Sequence, residues 1–399
     1  MLTDEQTALV EQISKKNGFE NFSITVEQGS NKGDNYLGNI FLITVKENDE
    51  NLKKCFILKC AESNEEVRKQ MPIHDAYERE VFLYQTVLPT FEEFQKKYNM
   101  KYPFKAFIKL LGSSLEKNKE FLLMENIKDQ GFKMLNRKKT MDEKHIALVM
   151  KELGKLHSVS LAMKQLEPDT YQHLIKNLDD YFMKNKNVMD SFRKSFGITF
   201  DIALKLVKDN PKATKAITEY KQEFHKTLED LEDEKNRLVI VHGDAWCNNM
   251  MFKYEDPNNL SMCFLDWQIS KIASPVSDLF YYFFSAASKP ILDDHRIYLQ
   301  LYYKTIQENL ESVGCNAQAI FPFKLLQEHW EKFAKIGVFM SVGMLQAFLK
   351  DEKDAKSFVE MTEGGQNLMD QFWKDEEFSE EYCQRMRDII FMMVENKYI

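Results

Sequence analysis

Glycine and proline are scarce, at 14 and 9 in 399 residues, which excludes a collagen-like or linker-rich chain. Cysteine is scarce too. The six, Cys55, Cys60, Cys247, Cys263, Cys315 and Cys383, form no C-x-x-C pair, so the reading expects free thiols in a reducing compartment. Positive charge is in deficit: 54 Lys and Arg against 62 Asp and Glu give a net charge of −8, which argues against a general nucleic-acid binder. Among the eight His there is no H-x-x-x-H or H-E-x-x-H spacing, which disfavours a zinc site. The longest apolar run lies around Leu279 to Phe284, far short of the roughly 20 residues of a membrane span. The start, Met1 to Gln6, has neither a basic nor an apolar leader region. The expectation is a cytoplasmic protein with no membrane span and no nucleic-acid partner.

What is present is globular. Apolar residues make up 44% of the chain, and 30 Phe, 16 Tyr and 20 Met would not stay solvated in an open chain. At about 150 residues per domain the length allows two to three domain-sized units. Residues 1–125 mix strand and helix signals. Ile40–Val45 and Cys55–Cys60 read as a hairpin, and Ile73 to Leu88 as a helix with Tyr77, Val81, Tyr84 and Leu88 on one face. Phe107–Leu111 and Glu120–Glu125 read as two further strands parted by a turn at Gly112-Ser113-Ser114. Residues 126–399 are mostly helical, starting with Met141 to Met163, and hold a strand island from Leu238 to Trp267. Lys164 to Arg237 is polar and helix-favouring, and Lys374 to Glu381 reads as a solvated helix start.

The chemistry concentrates in that island. The apolar strand Leu238–Val241 ends in His242-Gly243-Asp244, Asn249 follows five residues after Asp244, and a second strand, Met262–Leu265, ends in Asp266-Trp267-Gln268. Phosphoryl transfer needs one carboxylate to take the hydroxyl proton. It also needs a carboxamide oxygen and a second carboxylate to hold Mg²⁺ against the phosphate charge. An Asp at one strand end is commonly just a turn former, but the joint spacing is not explained that way. Cys247 reads as packing, and His157 as a core histidine bonded to backbone.

The spacing resembles the protein-kinase set H-R-D with Asn five residues on, then D-F-G, in its small-molecule branch of aminoglycoside phosphotransferases and choline and ethanolamine kinases. The whole pattern is similar to the ecdysteroid kinase-like family, or CHK kinase-like domain. The residues that carry this are Lys32-Gly33-Asp34-Asn35-Tyr36, Leu153-Gly154-Lys155-Leu156-His157, His242 through Phe252, and Phe264-Leu265-Asp266-Trp267-Gln268. The resemblance implies an α+β, protein-kinase-like fold of two lobes, 1–125 and 126–399, with dependence on ATP and Mg²⁺. It implies phosphorylation of a small-molecule alcohol, ecdysteroids being the namesake substrates. By carry-over Asp244 is the base and Asn249 and Asp266 hold metal. Lys59 with Glu80 positions phosphates, with Glu78 as the rival partner, and Met124-Glu125-Asn126 is the hinge that meets adenine. Ser30, in the loop Gly29 to Gly38, would help cover phosphates, although that loop lacks G-x-G-x-x-G. Asp278 is either a helix cap or a brace that accepts backbone hydrogen bonds from the catalytic loop. The absence of glycine after Asp266-Trp267 argues against a mobile metal loop.

The acceptor would meet the helices after Asp278: Phe280, Tyr281, Phe283 and Phe284, then the apolar segment Ile336 to Phe348 around Gly337 and Gly343. That favours an apolar alcohol. Two alternatives stay open. One is a choline- or ethanolamine-type kinase with Trp330 and Trp373 as cage candidates. The other is a catalytically silent nucleotide- or lipid-binding protein of the same fold.

Overall fold

Alternating residues in the first 125 positions fold into one antiparallel sheet. In the computed structural model, which describes residues 2–30, 37–48, 52–256, 259–351, 353–372 and 378–399, helix α1 (Asp4–Lys16) precedes β1 (Phe22–Gln28), β2 (Gly38–Glu47) and β3 (Lys53–Ala61). Then come α2 (Glu65–Gln70), α3 (Ile73–Phe82), α4 (Leu88–Lys97), β4 (Leu110–Ser114) and β5 (Phe121–Glu125). The strand order is β1-β2-β3-β5-β4.

Helix α1 starts at a reciprocal cap between Thr3 and Gln6 and lays Val10 and Ile13 on Ile43, Val45, Phe56, Leu58, Phe121 and Leu123. Each such aliphatic side chain contributes about 1.5–3 kcal/mol when fully buried. Because successive strand residues point to opposite faces, Ile57, Lys59, Leu122 and Met124 face away from α1, with Lys59 opposite Leu122 and Ile57 opposite Met124. That alternation aims Lys59 at the cleft.

The structure departs from the sequence reading in two places here. The helix from Ile73 does not stop at Leu88. A π-helical turn at Leu83–Val87 joins α3 to α4, and Pro89, which has no N–H to donate, follows directly on that turn. Tyr77, Val81, Tyr84 and Leu88 are buried, as their spacing requires. Gly112-Ser113-Ser114 is strand, not turn: Gly112, Ser113 and Ser114 pair with Leu123, Leu122 and Phe121, and the chain reverses over Glu116–Lys119 instead. Ladder pairing with β5 outweighs the local turn preference of the triplet.

After β5 a 3₁₀ turn (Ile127–Gln130) leads to α5 (Glu143–Leu166), whose Ile146, Val149, Leu153, Leu156 and Ser160 are buried. Helices α6 (Pro168–Ile175), α7 (Tyr181–Lys184), α8 (Lys186–Leu206) and α9 (Pro211–Glu232) follow. The strand island comprises β6 (Val239–Val241), β7 (Met250–Asp256), β8 (Asn259–Phe264) and β9 (Lys271–Ala273), paired β6 with β9 and β7 with β8. The chain then runs through α10 (Val276–Ala286), α11 (Lys289–Asp293), α12 (His295–Ser312), α13 (Ala317–Ile320), α14 (Phe323–Leu349), α15 (Phe358–Thr362), α16 (Leu368–Phe372) and α17 (Glu380–Glu395). The expected α+β fold, a small antiparallel sheet followed by a larger helical part, is the one observed.

One continuous core runs from Leu37 to Tyr398, so the helices behind the sheet share it with the helical part. One segment, Ala317–Leu349, is long and apolar enough to cross a membrane by length and composition, yet 78% of its most apolar window is buried inside the protein. Its Gly337 is where α10 crosses α14. A Cβ there would lie 2.7 Å from Phe280 and 2.9 Å from Phe284. The body that comes close to α14 at Gly337 is therefore a neighbouring helix.

Candidate active site

The loop between β6 and β7 is fixed before any ligand is considered. Gly243 has φ +88°, and a Cβ there would lie 2.4 Å from the Ile269 carbonyl oxygen, so only glycine fits. Asp278 accepts the amide protons of His242 on Oδ2 at 2.7 Å and of Gly243 on Oδ1 at 2.8 Å. Helix α10 has Pro275 at its cap position with no side-chain cap bond, so Asp278 is the brace and not the cap. Burial works against its charge, but the His157 bond and the Gly243 amide outweigh it and hold the carboxyl below its usual range.

His157 is core, as expected, but its partners are side chains: Asp278 at 3.1 Å and the Tyr302 hydroxyl at 2.7 Å. The backbone partner expected from sequence gives way because α10 and α12 bring Asp278 and Tyr302 against the two ring nitrogens. His242 donates Nε2–H to the Leu265 carbonyl at 3.0 Å and accepts the Asp244 amide on Nδ1 at 3.2 Å. Burial lowers its pKa and keeps it in that neutral form. Trp267 is wholly buried, 4.5 Å from the His242 ring between centroids.

Asp244, Asn249 and Asp266 come together on this frame. Asn249 Nδ2 donates to Asp244 Oδ2 at 2.8 Å and to its carbonyl at 3.0 Å, and the Tyr281 hydroxyl donates to Oδ1 at 2.5 Å. Burial and the neighbouring Asp266 push the Asp244 carboxyl up to about 6, against the pull of Tyr281, Asn249 and Lys59. Asp266 itself sits at φ +63° and bonds Lys59 Nζ at 2.9 Å.

Lys59 also bonds Glu80 at 2.7 Å, and both side chains are almost fully buried. Burial alone would lower the lysine, but the Asp266 and Glu80 carboxylates outweigh it and raise it well above its ordinary value. Burial pushes Glu80 up against the pull of Lys59. Glu80, not Glu78, is the partner. Gln268 links the set further: its amide donates to Asp266 at 3.3 Å, and its Oε1 lies 3.5 Å from Lys59.

Two cavities flank Asp244. The first, about 450 Å³, is lined by Ser30, Lys59, Glu80, Met124, Glu125, Asn126, Asn249 and Asp266, so it gathers every sequence-predicted phosphate, hinge and metal residue. The Lys32–Tyr36 motif lies outside the described residues. Within this cavity, a carboxylate from Asp266 and the carboxamide oxygen of Asn249 are the hard donors that Mg²⁺ prefers. Among the described residues no cluster of three or more His, Cys, Asp or Glu forms a ready-made metal cage. Mg²⁺ commonly takes only one or two protein ligands and completes its shell with phosphate and water, so the donor set fits it.

The second cavity, about 340 Å³, is mainly apolar. Gly243, Ile269, Tyr281, Ile336, Met340 and Met344 line it, with Tyr181, Phe182, Phe196, Leu228 and Leu231 from α7 to α9. Of the predicted acceptor helices, only Tyr281, Ile336, Met340 and Met344 reach it. Phe280, Phe283, Phe284, Val338, Phe339, Val342 and Leu345 are core, because helix crossing consumes those faces. The segment 164–237, unassigned from sequence, supplies the opposite wall. Trp330 is buried against Phe283, Phe284 and His295 and is not a cage residue, and Trp373 lies outside the described residues.

Sequence reasoning missed Tyr281 as a partner of Asp244, although its place three residues after Asp278, on one helical face, was a usable signal. It also missed Arg79. That side chain reaches the carbonyls of Ser270 and Asp179 and stands 5.1 Å from the Tyr181 ring. The Tyr181 hydroxyl donates to the Gln268 carbonyl at 2.7 Å.

Comparison with solved structures finds an ethanolamine kinase from Plasmodium vivax at 12% identity, covering all of this chain and 91% of that one with a TM-score of 0.45. A GDP and kanamycin complex of an APH(2'') enzyme matches at 10% identity over 87% of this chain and 96% of that one, with a TM-score of 0.42. No curated protein sequence matches the chain. The model of the ecdysteroid kinase-like family, by contrast, matches residues 32–315. A match of that extent makes the chain a member of the ecdysteroid kinase-like family, and so a small-molecule kinase.

Proposed function

We infer that the protein is an ATP- and Mg²⁺-dependent kinase that phosphorylates a hydroxyl of a largely apolar alcohol, such as an ecdysteroid. The observation that carries this reading is the place of Asp244. It bonds Asn249 of the first cavity on one side and Tyr281 of the second, apolar cavity on the other. A base that serves two substrates has to stand between them.

In this reading the lobe 1–125 brings Lys59, held by Glu80, to the non-transferred phosphates, with Ser30 over them and the Met124–Asn126 segment against adenine. Asn249 and Asp266 hold Mg²⁺, which neutralises charge developing on the phosphoryl group. Lys59 stays protonated throughout, so its two carboxylate partners can be exchanged for phosphate without loss of the cation. Asp244 orients the acceptor hydroxyl and takes its proton as that oxygen attacks the γ-phosphorus. Trp267 and His242 keep the loop beneath Asp244 dry and fixed.

The apolar lining argues for an apolar acceptor. A cationic amino alcohol would need unpaired carboxylates beside aromatic rings. Asp180 and Glu232 do lie at this cavity, but Lys271 already pairs with Asp180 and stands 3.7 Å from Glu232. The test is product formation from γ-labelled ATP with an ecdysteroid, choline and an aminoglycoside at low and high ionic strength. Turnover of the ecdysteroid that tolerates salt supports the reading. Preference for a cationic substrate, collapsing in salt, overturns the apolar-acceptor part, and no turnover of any alcohol overturns the kinase.

A further inference from the structure

Asp244 reaches the cleft with both carboxylate oxygens engaged by the protein itself. Oδ2 accepts the Asn249 amide, from its own loop. Oδ1 accepts the Tyr281 hydroxyl, from a helix 37 residues away in sequence. An acceptor alcohol would offer Asp244 the same group that Tyr281 offers, a single O–H on an apolar frame. Tyr281 also lines the apolar cavity with Gly243, Ile269, Ile336 and Met340, so its ring stands where an acceptor must arrive.

A kinase with an unguarded base wastes ATP, because water is also a hydroxyl donor. In that side reaction a water proton passes to Asp244 while the water oxygen bonds the γ-phosphorus. The bond from that phosphorus to the bridging oxygen breaks, and ADP and phosphate leave. A phenol is suited to block this step. It fills one of the two accepting directions of Oδ1, and burial beside the Asp244 carboxylate raises its pKa well above the ordinary phenol value, so it stays a neutral donor.

We propose that Tyr281 is a stand-in for the acceptor hydroxyl: it occupies Asp244 Oδ1 in the acceptor-free enzyme, denies that oxygen to water, and yields it when the apolar cavity fills. Tyr281 is a positioning residue and takes no part in bond making. The proposal rests on Asp244 being the base.

The test needs no knowledge of the acceptor. ATP hydrolysis is measured with Mg²⁺ and ATP alone for the wild type, Tyr281→Phe, Tyr281→Met, Asp244→Asn and the Tyr281→Phe/Asp244→Asn double variant. Both Tyr281 variants should hydrolyse ATP about tenfold faster than the wild type, equivalent to about 1.4 kcal/mol of barrier, and the double variant should lose the gain. A rate at or below the wild-type rate in whichever Tyr281 variant keeps the wild-type melting temperature overturns the stand-in, since a purely orienting tyrosine would give that result. A second readout uses no nucleotide: the tyrosine ζ-¹³C resonance of Tyr281, assigned by its loss in Tyr281→Phe, should move in Asp244→Asn. A resonance left unmoved also overturns the proposal. If Asp244→Asn keeps full hydrolysis or phosphorylation, the base assignment itself fails. If that variant is silent while the Tyr281 variants show no gain, only the stand-in fails.

Discussion

Gly243 donates its amide to Asp278 Oδ1 at 2.8 Å, at a position where a Cβ would lie 2.4 Å from the Ile269 carbonyl oxygen. The loop between β6 and β7 is thus held from below by a charged acceptor and closed from above by backbone. Nothing larger than glycine can stand between Asp278 and the Ile269 carbonyl.

Removing the brace should therefore cost more than one hydrogen bond. Asp278→Ala leaves two backbone amides and His157 without their acceptor, and at about 1–3 kcal/mol for each donor left unsatisfied stability should fall by about 3 kcal/mol or more. Asp278→Asn keeps one acceptor oxygen and should lose less. Urea unfolding midpoints check both, and an alanine variant as stable as the wild type would contradict the brace.

Asp244→Asn should leave ATP affinity within about twofold while turnover falls about 10² to 10⁴, roughly 3 to 5.5 kcal/mol of barrier. Isothermal titration with ATP and a single-turnover assay separate the two quantities. Turnover close to wild type removes Asp244 from the mechanism.

Acid should weaken the loop in two stages. Burial lowers the pKa of His242, so its folded value lies below the unfolded value of about 6.5. Its stabilising contribution is full above that pH and is lost as pH falls below it. The pKa of Asp278 is also lowered, so its contribution is full above about 3.9 and is lost at still lower pH. The raised carboxyls of Asp244 and Glu80 add stability over part of the same range as pH falls, so each stage is read as a difference from a variant. The melting-temperature gap between the wild type and His242→Gln should narrow as pH falls below about 6.5, and that between the wild type and Asp278→Asn below about 4. A His242→Gln gap that stays constant from about pH 7 to 5 would contradict the upper stage.

Met340→Glu places a carboxylate in the apolar cavity without touching the nucleotide side. The KM for an ecdysteroid should rise at least about tenfold, or about 1.4 kcal/mol, with the KM for ATP unchanged. Equal changes in both constants would mean that the cavity is not a separate acceptor site.

Much of the candidate site could be read from sequence because its parts are local. Asp244 and Asn249 lie in one loop, whose 3₁₀ turn Cys247–Asn249 leads into β7, and Asp266 stands two residues past β8, the strand paired with β7. Lys59 and Glu80 were singled out through the resemblance, and strand alternation with a helical face accounts for their meeting. The turn placed at Gly112-Ser113-Ser114 went wrong for the opposite reason: local preference was overridden by a ladder whose second strand lies beyond the triplet.

By itself, then, the sequence determined the chemical inventory: which carboxylates, which carboxamide and which lysine, and on what kind of element each stands. Only the tertiary structure decided what surrounds that inventory. It set Tyr281 on Asp244, joined Arg79 to Asp179 and Ser270, and turned the helices of 164–237 into the far wall of the apolar cavity. The physical reason is range. Period and spacing encode contacts within a turn or a hairpin, whereas a contact between α10 and the loop that follows β6 depends on how every helix packed around α5 and α14 divides its faces between core and cleft.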